Sequence, residues 1–325
     1  MTPIPSDKEL MNKIPLIDYS NHPAYGKLFG QPSRHNQYLA LNKFLPSFLR
    51  CLKNNLHNFK YSSLTIDCYP TNIPTQLEQF IQNGIIVKKI SHLQKSRLTN
   101  LLKYWIFILK CKRAKIPADK RTFIDNMLCI YEDLLYNECL EILNNHAIIK
   151  IASIYIGYSI TLKKISLHIY DESDNFIYQA FENMDAPATT DLHIDWSYHR
   201  MVKCLIYLND VDENNGQFKY VIGSNNYQLG LWEKSIRYAN SFCGLSKCSI
   251  SERELFWALP KFFQKKAEFG NDLLDTSLES AALLGRECHF TSEDGDLLFF
   301  DNEGIHRGGD VRKGERQVLQ LYLWH

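Results

Sequence analysis

His193-Ile194-Asp195 places two metal-binding side chain types side by side, and His306 supplies a third 113 residues after His193. Two imidazoles and one carboxylate can occupy one face of an octahedral Fe(II), leaving three positions open for a co-substrate and O₂. Arg316 follows His306 by ten residues, and a guanidinium there can grip the far carboxylate of a 2-oxo acid. The tripeptide alone is weak: with 11 His and 19 Asp in the chain, chance supplies one in about half of such sequences. Its meaning depends on the elements that position it.

Residues 202–208, after the tripeptide, read as a strand, and on extended chain positions i and i+2 share a face. Gly295 to Asp301 reads as a turn and a buried strand, with His306 beyond its end, where a barrel mouth would lie. The last strand, 316–324, alternates: Arg316, Val318, Gln320 and Tyr322 on one face, Gln317, Leu319, Leu321 and Leu323 on the other. An arginine on a face shared with Val318 and Tyr322 is costly to bury unpaired, and a bound dicarboxylate would pair it.

The rest of the chain divides into a helical first half and a β-rich second half. Residues 1–35 form an irregular arm, and 36–57 have near-helical apolar spacing interrupted by Pro46. A short strand is expected at 63–69, a helix at 76–82 stopped by Gly84, and a strand at 85–87. Helices follow near 93–112 and 120–145, the second with Ile124, Met127, Leu128, Tyr131, Leu134 and Leu135 as a core stripe. Strands are expected at 149–158, 161–170, 176–181 and 216–222. Residues 225–285 return to helix, with a capping box at Ser251-x-x-Glu254. The pattern is that of an α+β domain, a β-sandwich or barrel of jelly-roll type buttressed by helices.

With a net charge of +1, nothing global points to nucleic acid, and no nucleic-acid partner is expected. The first 150 residues are nevertheless basic and the remainder acidic. A cluster of Lys103, Lys110, Lys112, Arg113, Lys115, Lys120 and Arg121 is either a solvated face or a dock for an acidic carrier protein or phosphate-bearing group. Nine scattered cysteines match no zinc module, and the N-terminus has no apolar leader, so a reducing, cytoplasmic setting is expected. The most apolar run, 104–109, is far too short to span a membrane.

Further motifs fall in a fixed order: Phe80-x-x-x-Gly84, His193-x-Asp195, Leu208-Asn209-Asp210 then Asn215-Gly216, Ile222-Gly223-Ser224, Gly295-Asp296-Leu297-Leu298-Phe299-Phe300, His306 and Arg316. In this order the chain resembles the phytanoyl-CoA dioxygenase family of Fe(II)/2-oxoglutarate oxygenases over residues 79–325, leaving 1–78 as an N-terminal extension. The resemblance implies a double-stranded β-helix (cupin-like) core, with 225–290 as a helical insertion or lid. It implies His193, Asp195 and His306 as iron ligands, Arg316 as the 2-oxoglutarate anchor with Arg312 in reserve, and O₂ as the second co-substrate. Arg307, next to a ligand, is expected to point outward. The chain departs from family habit at Asn225 and Asn226, where a histidine often follows Gly-Ser. It departs again at Val318, where a hydroxyl residue often assists the arginine, so a second 2-oxoglutarate contact must come from elsewhere, Lys203 or Tyr207.

Trp196, Tyr198 and His199, just after the metal loop, together with Trp232 and Gln320, are candidates for lining a substrate pocket or for packing alone. Asp195 leaves no vacancy for chloride, so hydroxylation of an unactivated C–H bond is expected over halogenation, with desaturation and ring closure open. The expected substrate is a small molecule of secondary metabolism. A protein, peptide or carrier-bound substrate is the alternative among enzymes, and a non-catalytic binding protein on the same fold is the alternative outside them.

Overall fold

In the computed structural model the alternation of the last strand sets the two sides of the main sheet. The structure describes residues 72–121, 123–174, 192–195, 200–225, 228–230 and 278–325, together with Leu49. Six strands pair antiparallel in the order β1-β7-β4-β9-β3-β2. These are β1 (Ile85–Lys89), β2 (Met127–Cys129), β3 (Thr161–Asp171), β4 (Val202–Tyr207), β7 (Asp296–Asp301) and β9 (Glu315–Trp324). Leu319, Leu321 and Leu323 of β9 join Val202, Cys204 and Ile206 of β4 in a buried apolar face. Period-2 alternation sends the intervening residues to the other face. There β9 places Tyr322 between Lys164 and Lys203, Gln320 between Ser166 and Leu205, Val318 between His168 and Tyr207, and Arg316 beside Tyr170.

Helices cover the apolar face. They are α1 (Asn72–Asn83), α2 (His92–Ala114), α3 (Asp133–Asn145) and α4 (Ile148–Ile156). α2 opens with a reciprocal capping box between Ser91 and Gln94. Its end is tied to the sheet by Arg113, whose guanidinium pairs with Asp171 at 2.6 Å and Asp174 at 2.9 Å. On the opposite side of the main sheet lies a smaller one of order β6-β5-β8, formed by β6 (Glu287–Phe290), β5 (Phe218–Val221) and β8 (His306–Arg307). Phe218 and Tyr220 of β5 pack with Leu205, Tyr207, Leu298, Phe300 and Val318 of the main sheet as a second core. The result is the α+β, two-sheet jelly-roll architecture expected from the sequence.

Two expectations are corrected. Residues 149–158 form no strand: Ile148–Ile156 is helix α4, entered through a left-handed Ala147 and closed by Gly157 at φ 84°. The β-branched isoleucines favour strand, but Ile148, Ile151, Ala152, Tyr155 and Ile156 are buried at helical spacing, and burial decides. Residues 120–145 are not one helix either. Met127–Cys129 leaves the helical path to pair with β3 at the sheet edge, and helix α3 starts only at Asp133. The expected stripe is therefore broken, with Ile124, Tyr131 and Leu134 exposed. β8 was not foreseen, because a two-residue strand carries no periodic signal.

The strands expected at 63–69 and 176–181, and most of the 225–290 insertion, lie outside the described residues; α5 (Leu278–Leu284) is the described helix of that insertion. Among the described residues no helix is long and apolar enough to cross a membrane.

Candidate metal centre

The turn after β7 sets the positions of all three candidate ligands. His306 and His193 exchange backbone hydrogen bonds of 2.8 and 3.0 Å, as in a short antiparallel ladder. Asp195 donates its backbone N–H to the Asn302 carbonyl at 3.1 Å, and the Asn302 side chain returns a bond of 3.4 Å to the Asp195 carbonyl. Ser224, of the Ile222-Gly223-Ser224 motif, accepts from the Ile305 N–H at 2.7 Å. Gly304 is required by space: a Cβ there would stand 1.8 Å from the Tyr220 hydroxyl. Residues 192–195 thus dock on residues 302–306, and two segments remote in sequence become one ligand platform.

The ligand atoms of His193, Asp195 and His306 lie within 4.8 Å of one another. His306 Nδ1 is 2.8 Å from the Gly304 carbonyl, which can only accept, so Nδ1 carries the proton. The Nε2 lone pair is thereby turned toward Asp195 Oδ2, 3.1 Å away. His193 Nε2 lies 3.9 Å from Asp195 Oδ1. The three groups are thus close enough for one cation to take a ligand atom from each. Two imidazole nitrogens and one carboxylate on one side are the donor set of a facial Fe(II) site, so the residues fit that ion. Burial pushes the Asp195 carboxyl up, but Lys203 and the two imidazoles outweigh it and hold the group well below the usual carboxylate range. Lys203 donates to Asp195 Oδ2. Burial disfavours its charge, yet the carboxylate raises the ammonium above its ordinary value.

The triad opens into a cavity of about 120 Å³ between the two sheets, with apolar walls from Leu205, Phe218, Phe300 and Val318. Arg316 is part of its lining and is 7% exposed. Its Nη1 donates to the carbonyls of Gly216 and, at 3.4 Å, Gly309, and its guanidinium carbon lies 4.6 Å from the Tyr170 ring centroid. Its Nε is buried without a partner, and no carboxylate among the described residues pairs with it. Gly216, at φ +89°, lets the chain come this close, since a Cβ would meet the Gly309 carbonyl at 2.9 Å. The Asn215-Gly216 motif therefore serves the arginine.

Lys203, Tyr207 and Gln320 also line the cavity. Arg312 does not: its side chain is 73% exposed and pairs with Asp310. Arg307, expected to point outward, is instead buried in an ion pair with Glu287 at 2.6 Å. Trp196, Tyr198, His199 and Trp232 lie outside the described residues. Much of the basic cluster is engaged within the chain. Arg113 and Arg121 face Asp171 and Asp174, Lys110 pairs with Glu315, and Lys112 reaches Asp125. The sequence reading missed Tyr170 beneath Arg316 and Asn302 beneath Asp195. Tyr170 was findable, because the expected strand 161–170 carries alternate Ser166, His168 and Tyr170. Asn302 acts mainly through its backbone, which leaves no sequence signal.

His168 sits fully buried between Ser166 Oγ at 2.8 Å and the Tyr170 hydroxyl at 3.0 Å. Burial, then the charges of Lys203, Arg316 and Lys164, hold its pKa well below 6.5. The unfolded chain binds a proton at this residue before the folded one does. Stability is therefore intact above pH 6.5 and falls below it, by about 1.4 kcal/mol per pH unit for one group. Urea midpoints measured from pH 7.5 to 5.5 should fall, and less steeply in His168→Gln; parallel slopes in the two proteins would remove His168 as the cause.

No family model matches the chain, and no curated protein does. Solved structures with similar chain paths include EvdMO1, at 13% identity and a TM-score of 0.44 over 78% of this chain, which spans 50% of that one. They include HygX from Streptomyces hygroscopicus with nickel and 2-oxoglutarate bound, at 13% and 0.43, covering 79% of this chain and 87% of that one. EctD from S. alaskensis with 2-oxoglutarate and 5-hydroxyectoine gives 12% and 0.44, covering 80% of each. The geometry of this chain's own cavity carries the functional reading.

Proposed function

We propose that the chain is an Fe(II)- and 2-oxoglutarate-dependent oxygenase that hydroxylates an unactivated C–H bond of a small organic molecule. One observation carries this: two imidazoles and a carboxylate converge at one end of a cavity that also contains a buried Arg316 with no carboxylate partner among the described residues. Such a lining suits a cation at one end and a dicarboxylate reaching from it to the arginine.

His193, Asp195 and His306 would hold the iron, which with 2-oxoglutarate and O₂ supplies oxidative decarboxylation to succinate and CO₂ coupled to attack on a C–H bond. Arg316 binds the far carboxylate through its fork, with Gly216, Gly309 and Tyr170 keeping the guanidinium in place. Tyr207 is better placed than Lys203 for the second contact. It stands opposite Val318, two residues from Arg316. Burial pushes its hydroxyl up to about 12, so it stays protonated and can donate. Leu205, Phe218, Phe300 and Val318 exclude water from the space between. Complete retention of the triad and arginine favours an enzyme over a non-catalytic binder.

Anaerobic addition of Fe(II) and 2-oxoglutarate to the purified protein should give a weak visible charge-transfer band that Asp195→Ala lacks. Protein that binds neither would defeat the proposal.

A further inference from the structure

Arg316 and Lys203 stand at opposite ends of the cavity-facing side of the main sheet. Arg316 and Tyr322 are six residues apart on β9, about 20 Å of strand, and Lys203 is the cross-strand partner of Tyr322. On the other side of Tyr322 the partner is Lys164 of β3. The two ammonium nitrogens lie 4.9 and 5.0 Å from the Tyr322 ring centroid. A ring between two like charges offsets part of their repulsion and fixes their positions. The Tyr322 hydroxyl is held in turn by Gln320 at 2.8 Å and Ser166 at 3.5 Å.

Among the described residues this row has too little negative charge around it. Lys164 is half-buried and pairs with no carboxylate among the described residues. Lys203 has Asp195, which is itself a candidate metal ligand. If the oxygenase reading holds, a divalent metal and Arg316 are balanced by Asp195 and a dianionic co-substrate. Lys203 then leaves a positive surplus inside a cavity with apolar walls, and Lys164 adds another beside it. Such a surplus is costly unless an anion meets it. The far carboxylate of the co-substrate is taken by Arg316 at the other end of the sheet, so it does not reach Lys164 or the Tyr322 ring.

We propose that Lys203, Tyr322 and Lys164 form a docking row for an anionic group, a carboxylate or a phosphate, on the organic substrate oxidised at the triad. This rests on the oxygenase reading and gives it a substrate class: small acids or phosphorylated molecules, bound by the charged end with the reactive carbon over the metal.

The test is calorimetric titration of protein loaded with Mn(II) and 2-oxoglutarate, using benzoate, inorganic phosphate and the neutral isostere benzamide as probes. Benzoate or phosphate should bind and benzamide should not, and the tighter anion identifies the group. Lys164→Gln should weaken anion binding roughly fivefold, as a half-exposed pair does. Lys203→Gln should weaken it about tenfold or more, as a buried charged hydrogen bond does. Lys164→Gln should leave Mn(II) and 2-oxoglutarate affinity unchanged. Benzamide binding as tightly as benzoate, or anion affinity insensitive to Lys164→Gln, would overturn the docking row. If Mn(II) and 2-oxoglutarate do not bind the unaltered protein, the oxygenase reading fails. The same anion titrations on metal-free protein then judge the row by itself, and lysine-independent binding sinks it.

Discussion

Asp195→Ala is expected to abolish metal binding and also to destabilise the metal-free protein. Asp195 Oδ2 faces His306 Nε2 at 3.1 Å and accepts from Lys203. Its removal takes one of three candidate metal donors, and affinity should fall by more than about 100-fold, since even outer partners of metal ligands cost 10–100-fold. It also strands the Lys203 ammonium, whose side chain is only 11% exposed. Breaking one side of a buried pair costs about 3–5 kcal/mol. The Asp195 side chain is 27% exposed, so solvent screening brings the expected loss down to about 1–3 kcal/mol. Adding Lys203→Met to Asp195→Ala should recover most of the stability and none of the metal affinity. Urea denaturation and metal titration separate the two effects. A double variant as unstable as the single one would show that the stranded ammonium is not the cause.

Arg316→Leu should show the opposite balance, a large binding defect with little change in stability. Loss of a buried, fork-shaped partner for a carboxylate costs about 2–4 kcal/mol, roughly 30- to 1,000-fold in 2-oxoglutarate affinity. The folded protein loses donors to the Gly216 and Gly309 carbonyls, worth about 1 kcal/mol each. It also sheds a buried cation that no described carboxylate balances, which works in the other direction. The net change in unfolding free energy should stay within about 1.5 kcal/mol. Pyruvate is the discriminating ligand, because it has the 2-oxo acid head and no far carboxylate. It should bind Arg316→Leu and the unaltered protein alike. A loss of pyruvate affinity matching that of 2-oxoglutarate would place Arg316 at the head of the co-substrate, or make its role structural.

The alternation of residues 316–324 was legible because a strand has one period and one hydrophobic face. From it followed the inward Arg316 and the apolar face of Leu319, Leu321 and Leu323. Helix α4 was misread for a related reason. Short runs of β-branched residues look alike in a buried helix and a buried strand, and only the spacing of Ile148, Ile151, Ala152 and Tyr155 with Gly157 behind them tells the two apart.

Side chain chemistry and a period of two are local properties, so the candidate ligand types, the arginine and its face could be read along the chain. Which charges meet depends on the folded arrangement. His193 and His306 are 113 residues apart in sequence and are joined by backbone pairing that has no side chain signature. Strand register then placed Lys164 and Lys203 on either side of Tyr322, while Arg312, before the last strand, turns to solvent beside Asp310. Register arises from long-range packing of whole faces, so no local pattern announces it.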